Sequence, residues 1–299
     1  MNTVILLVIT GLGLGALYFL IASGLSLIFG LMDVLNFAHG AFLSIGAYGT
    51  WWASNHLPGA GGDGLGFVYA VVFGVAAGTL AATLVELCVI RPLYGRHREQ
   101  ILATVGLSLA VPALIQAVWG ADPLTFPRPD LVSGTVGVLG VNVPRDRFLL
   151  VIAAVLVFAA LWLFNSRTRY GSIVRAGVQD RAMVTALGID VRKAFTLVFA
   201  IGGAAAALAG ALGGLYFGVV TPTQGMSLLI FAFIVVVIGG TTSLTGCAIA
   251  SVTVGLVQQF ANYYTVAGLG DIAVVVVLAV VLLTRQGGLT AKKSAERVA

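Results

Sequence analysis

The sequence predicts an all-α polytopic membrane protein with about eight to nine transmembrane helices, some of them discontinuous. Three observations predict it. Of 299 residues, 59% are hydrophobic and only 9% charged, whereas a soluble domain carries charge at roughly a quarter of its positions. Such a chain cannot cover a water-facing surface, so its exterior must face lipid. Apolar runs recur at the length a helix needs to cross about 30 Å of hydrocarbon. The basic residues, finally, fall in clusters that alternate with those runs.

In chain order the runs occupy roughly 3–31, 37–54, 67–90, 101–119, 148–164, 194–220, 227–240, 246–262 and 267–284. No Lys or Arg precedes the first run and no small-residue cleavage site follows it, so it reads as a retained span rather than a removable signal peptide. The pair 227–240 and 246–262 is separated by a turn-like stretch, Gly239 to Gly246. It is either two spans or one broken, re-entrant unit. Small residues at helical spacing (Gly11 and Gly15; Gly74 and Gly78; Gly202, Ala206, Gly210 and Gly214) predict closely packed helices and no particular function.

Thirteen of the sixteen Lys and Arg residues sit in three segments, 91–98, 167–193 and 285–297. The positive-inside rule places these in the cytoplasm, with the C-terminus inside and the N-terminus outside. The loops 55–66 and 120–147 then lie outside. Pro123, Pro127, Pro129 and Pro144 make the second an extended, irregular segment. The net charge of +5 is spread over these clusters, which argues against a nucleic-acid-binding stripe. Cys88 and Cys247 lie inside apolar runs and read as small buried hydrophobes.

No enzyme constellation is present. His39, His56 and His97 are not spaced as metal ligands, and no phosphate-binding loop of the G-x-x-x-x-G-K-[ST] type occurs. No cofactor is expected. Glu86 and Asp271 sit near span ends, where they are expected to reach water.

Two features rise above this background. Gly15-Ala16-Leu17-Tyr18-Phe19 recurs in shortened form as Gly214-Leu215-Tyr216-Phe217. Each copy is followed by a polar break, Asp33 to Gly40 and Gly239 to Gly246. Breaks at corresponding places in two halves point to a transport pathway; a plain hairpin turn around Asn36 and His39 is the alternative. The second feature is the long polar segment 166–194. Within it Val178, Ala182, Ala186 and Leu187 share one helical face, and Gly188 is a natural stop. A short amphipathic helix of this kind suits docking on a soluble partner or lying on lipid.

The stretch Gly24-Leu25-Ser26-Leu27-Ile28-Phe29-Gly30, followed by Asn36-Phe37-Ala38-His39-Gly40-Ala41-Phe42 and Gly46-Ala47-Tyr48, closely resembles permeases of the branched-chain amino acid ABC transporters, most of all the LivH type. The resemblance continues through Arg91-Pro92-Leu93, Arg175-Ala176, Ala186 to Ile189, and Gly239-Gly240 with Gly246. It implies that residues 1–299 form a single transmembrane permease domain with a cytoplasmic tail at 286–299. It implies the bacterial inner membrane, a second homologous permease subunit, two cytoplasmic ATPase subunits and a periplasmic substrate-binding protein. Segment 166–194 would be the ATPase-coupling loop, with Arg175, Asp180, Ala182, Ala186, Leu187 and Gly188 its candidate residues. Asn36, Phe37, His39, Gly40, Phe42, Gly239, Gly240 and Gly246 would be candidates for the translocation pathway. The implied function is import of leucine, isoleucine or valine by alternating access. Permeases of the same family for urea, short amides or other amino acids fit the same motifs, and a stand-alone secondary transporter fits the broken helices alone.

Overall fold

The computed structural model describes residues 2–32, 35–59, 64–138, 140–179, 184, 191–266 and 268–284. Eleven helices are described, numbered here in chain order. The first four are α1 (Asn2–Met32), α2 (His39–His56), α3 (Gly64–Val85) and α4 (His97–Trp119). The one-turn α5 (Asp130–Ser133), α6 (Arg145–Arg167) and α7 (Arg169–Gln179) follow. The last four are α8 (Val191–Phe217), α9 (Gln224–Gly239), α10 (Leu244–Tyr264) and α11 (Leu269–Thr284).

Among the described residues, six helices are long and apolar enough to cross a membrane, namely α1, α3, α4, α6, α8 and α10. The α9 and α11 helices are apolar, with 16 described residues each, about 24 Å at 1.5 Å per residue. With α2, nine of the described helices build the bundle. The α2 helix is absent from the lipid-compatible set because its sequence is mixed, and the fold accommodates this by burying it. Twelve of its 18 residues are buried, so its polar groups meet protein rather than lipid.

The centre is formed by α1 and α8, whose most apolar windows are 61% and 67% buried against 17% for α4 and α6. Glycine makes the central crossings possible. A Cβ on Gly15 would stand 2.8 Å from the Ser251 carbonyl oxygen on α10, and one on Gly255 would strike the backbone of Gly11 and Gly15. Gly24 on α1 meets the Gly202 carbonyl on α8, and Gly210 meets the Leu43 carbonyl on α2. These are backbone-to-backbone contacts that any side chain would prevent. The small-residue stripes therefore do what their spacing predicts.

All basic clusters that fall within the described residues lie at one end of the bundle, hereafter the basic end. Here α3 runs through a π turn (Glu86–Ile90) into a 3-10 turn (Arg91–Leu93). Pro92 has no N–H to return to the turn before it, so the regular ladder gives way. Segment 120–147 covers the other end and differs from the irregular loop expected. It holds α5 and an antiparallel hairpin, β2 (Thr135–Val138) with β3 (Val141–Pro144), paired from Thr135↔Pro144 to Val138↔Val141. Gly140, at φ +82°, supplies the left-handed turn residue that such a tight hairpin requires. A two-residue β1 (Leu124–Thr125) pairs with β4 (Val219–Val220), tying this cap to the end of α8.

The break at 239–246 is a tight turn between two antiparallel helices. Gly240 adopts φ +93°, and its N–H returns to the Val236 carbonyl at 2.9 Å to close α9. Ser243 caps α10 by accepting from Gly246 N at 3.0 Å. Segment 166–194 is described only in part. Thr168 caps α7, accepting from Gly171 N at 3.0 Å, and Gly171 lets α7 lie on the carbonyls of Phe164 and Asn165 at the end of α6. Asp180, Ala182, Ala186, Leu187 and Gly188 lie outside the described residues, as do the side chain of Arg175 and the tail.

Candidate functional site

The 36–42 element sits inside the subunit, between α1, α9 and α8. Asn36 and His39 are both fully buried. The Asn36 side-chain oxygen accepts from Ala38 N at 3.1 Å, a local turn that starts α2. His39 donates from Nε2 to the Ile21 carbonyl of α1 at 3.1 Å. Its ring meets Phe42, which in turn meets Phe199 on α8 with centroids 6.0 Å apart. Phe37 packs against Phe233 of α9 at 5.3 Å. Gly40 is the crossing point of α2 and α9, since a Cβ there would lie 2.6 Å from the Gly225 carbonyl oxygen. Two buried polar atoms of this element, Asn36 Nδ2 and His39 Nδ1, have no hydrogen-bond partner among the described residues.

The second break lies beside α1, nearer the basic end. Ser26 donates to the Thr241 carbonyl at 3.0 Å, and Gly30 is pressed against that same carbonyl oxygen. Gly239 meets the backbone of Gly246 and Cys247 across the turn. Both breaks therefore flank the same stretch of α1. None of their eight candidate residues lines one of the described cavities.

A cleft of about 440 Å³ with mixed polar and apolar lining opens toward the hairpin end, between α1, the α8–α9 connection, α10 and α11. Its wall includes Tyr18, Tyr216, Gln224, Ser227, Gln258 and Asp271 beside Leu14, Leu228 and Phe231. Tyr18 donates to Gln258 Oε1 at 2.5 Å, and Gln258 Nε2 donates to Asp271 Oδ1 at 2.6 Å. The Tyr18 ring stacks on Phe231 at 5.1 Å. Asn262 fixes the α10–α11 turn, accepting from Gly268 N at 3.1 Å and Gly270 N at 2.9 Å. Just outside the cleft, the Arg147 guanidinium lies 3.4 Å from the centroid of the Tyr216 ring and pairs with Asp146 at 3.4 Å.

Sequence reasoning did not assign this cleft. Tyr18 and Tyr216 belong to the repeated Gly-Leu-Tyr-Phe stretch, yet Tyr18 lies mid-helix and Tyr216 in the last turn of α8, so the repeat does not mark equivalent places. Gln258 and Asn262, four apart in an apolar run, were the available signal, because that spacing puts both on one helix face. Asp271 does reach open space, as its position near a span end suggested. Glu86 does not. It is fully buried and takes hydroxyl donors from Tyr94 at 2.6 Å and Thr196 at 2.8 Å. Cys247 is buried, whereas Cys88 is exposed on the outer face of the π turn rather than packed inside.

This architecture defines a multi-pass membrane protein with a glycine-packed helical core and a cleft of mixed polarity at one end. Residues 7–284 match the family model described as the branched-chain amino acid transport system / permease component, and the chain belongs to that family. It is 29% identical over 296 residues to the high-affinity branched-chain amino acid transport system permease protein BraD of Pseudomonas aeruginosa, covering 97% of this chain and 96% of that one. To LivH of Escherichia coli K12 it is 28% identical over 298 residues, with 96% of each chain covered. To the probable LivH of Methanocaldococcus jannaschii it is 24% identical over 288 residues, covering 90% and 87%. No solved structure matches the chain.

Proposed function

We propose that this chain is the membrane-spanning permease subunit of an ATP-driven importer that carries leucine, isoleucine or valine across the bacterial inner membrane. The observation that carries the reading is the family match over residues 7–284, joined to a bundle whose helices are built to cross lipid. The basic end faces the cytoplasm with the C-terminus, and the hairpin end faces the periplasm, where a binding protein delivers substrate. A second homologous permease completes the passage and two ATPase subunits drive it. Segment 166–194, from Arg175 through Asp180, Ala182, Ala186, Leu187 and Gly188, docks on one ATPase. The anchoring of α7 on the end of α6 by Gly171 supports this, because a rigid lever passes motion to the bundle where a loose loop would not.

The 36–42 element and the 239–246 turn act as the moving wall of the pathway. Asn36 Nδ2 and His39 Nδ1 are buried without partners among the described residues, and each such group costs roughly 1–3 kcal/mol. Groups of this kind gain hydrogen bonds when a neighbouring helix tilts and admits water or substrate. Phe37, His39, Gly40 and Phe42, with Gly239, Gly240 and Gly246, are the hinge and packing surfaces on which α2 and α9 would tilt against α1.

Proteoliposomes containing the chain with its second permease and ATPases test the reading. Uptake of labelled leucine is expected only with ATP inside and binding protein outside. ATP-independent uptake by the chain alone would refute it and favour a stand-alone transporter.

A further inference from the structure

The cleft at the hairpin end has a chemical asymmetry. Leu14, Leu228 and Phe231 line it with hydrocarbon, and the Asp271 carboxylate lines it as well. Asp271 forms no ion pair among the described residues, where only Arg96–Glu99 and Arg147–Asp146 do. One of its oxygens is fixed by Gln258, which is 6% exposed and itself held by Tyr18. Two residues from two helices, Gln258 and Tyr18, thus orient one carboxylate at the cleft, whose second oxygen takes no hydrogen bond from the described residues. A carboxylate oriented on one side and open on the other is an acceptor for a cation. Urea and short amides can donate an N–H to it but carry no charge, so they gain less from it than an ammonium does.

We propose that Asp271 receives the ammonium group of an α-amino acid as it enters the permease, while the aliphatic side chain lies against Leu14, Leu228 and Phe231. The inference deepens the proposed function and rests on it. The Gln224 and Ser227 side chains, which also line the cleft, offer hydrogen bonds to the substrate carboxylate, so the cleft favours an amino acid over an uncharged solute of equal size. Gln258 and Tyr18 are positioning residues, which hold Asp271 in place without touching substrate. A cleft of about 440 Å³ is within the range of small-molecule sites and accepts one leucine with water around it.

The test uses the complete transporter in cells that lack their own copy, with labelled-leucine uptake normalised to complex recovered through a tag on an ATPase subunit. Asp271→Asn is expected to lower initial uptake roughly tenfold or more, the worth of one charge-assisted hydrogen bond, while Asp271→Glu keeps about half or more. Unchanged uptake per assembled complex in Asp271→Asn overturns the inference, including the case where assembly itself falls because Asp271 pairs with the second permease. If Asp271→Asn does not assemble, a Cys88→Ser, Ser227→Cys chain with Asp271 intact decides. A cationic thiosulfonate should then label Cys at 227 several-fold faster than an anionic one, and leucine supplied with binding protein and ATP should slow it. Equal rates, or no protection, overturn the inference. A wild-type complex that takes up no leucine removes the underlying reading instead, in the control arm before any variant is compared.

Discussion

Replacing Gly40 with alanine perturbs the closest approach between α2 and α9. The added Cβ would stand 2.6 Å from the Gly225 carbonyl oxygen and 2.9 Å from its carbonyl carbon. Carbon–oxygen contacts settle near about 3.3 Å, so the two helices must part by roughly 0.7 Å along that line. Both partners are backbone, and no side chain can swing aside to absorb the strain. Overpacking of this kind costs about 1–3 kcal/mol. The displaced helices also carry the Phe37–Phe233 contact and the Ser44 hydroxyl's bond to the Pro222 carbonyl at 3.4 Å. Thermal unfolding of the purified complex should therefore begin at lower temperature in Gly40→Ala, and leucine uptake should fall with it. A bulkier Gly40→Leu should abolish uptake while the partner subunits still copurify. Gly225→Ala strikes the Gly40 carbonyl from the other side. The double variant should cost less than the two singles together, because the helices have already parted. Wild-type stability and uptake in Gly40→Ala would mean that the crossing is not as close as described and that the hinge argument built on it fails.

Three further outcomes are expected. Glu86→Leu leaves the Tyr94 and Thr196 hydroxyls without their acceptor and should destabilise the protein by about 1–3 kcal/mol. Glu86→Gln, which can still accept, should cost less, as read by the unfolding midpoint of the two variants. Ser243→Ala removes the α10 cap and should cost about 1 kcal/mol, against a few tenths for Ser243→Gly; equal losses would argue against the capping role. In a Cys88→Ser background, a cysteine at Gly59 should react with a membrane-impermeant thiol reagent in intact spheroplasts, and one at Arg96 only after permeabilisation. The reverse pattern would invert the proposed orientation.

The spans were legible because hydropathy is a property of each segment alone: α4, expected at 101–119, runs His97–Trp119, and α6, expected at 148–164, runs Arg145–Arg167. The glycine stripes were legible for the same reason, since a small face shows in local spacing. The cleft was not, because its groups come from distant places. Tyr18 and Gln258 are 240 residues apart, and the same holds for the Glu86 environment outside the cleft, where Thr196 reaches across 110. No local pattern announces such a meeting. The hairpin at 135–144 was hidden by the prolines around it, although Val136, Val138, Val141 and Val143 alternate as strand residues do. The paired polar breaks together with the family resemblance pointed to the candidate pathway residues, and the structure adds how they pack. The 36–42 element is buried at a helix crossing, so any part it takes in transport is through movement of that crossing.

The most direct measurement is labelled-leucine uptake in cells lacking this chain, with and without its restoration, competed by unlabelled isoleucine, valine and urea. The account predicts that uptake is lost, that it returns with the chain, and that isoleucine and valine suppress it while urea does not. Leucine uptake that never depends on the chain, or that only urea suppresses, would contradict it.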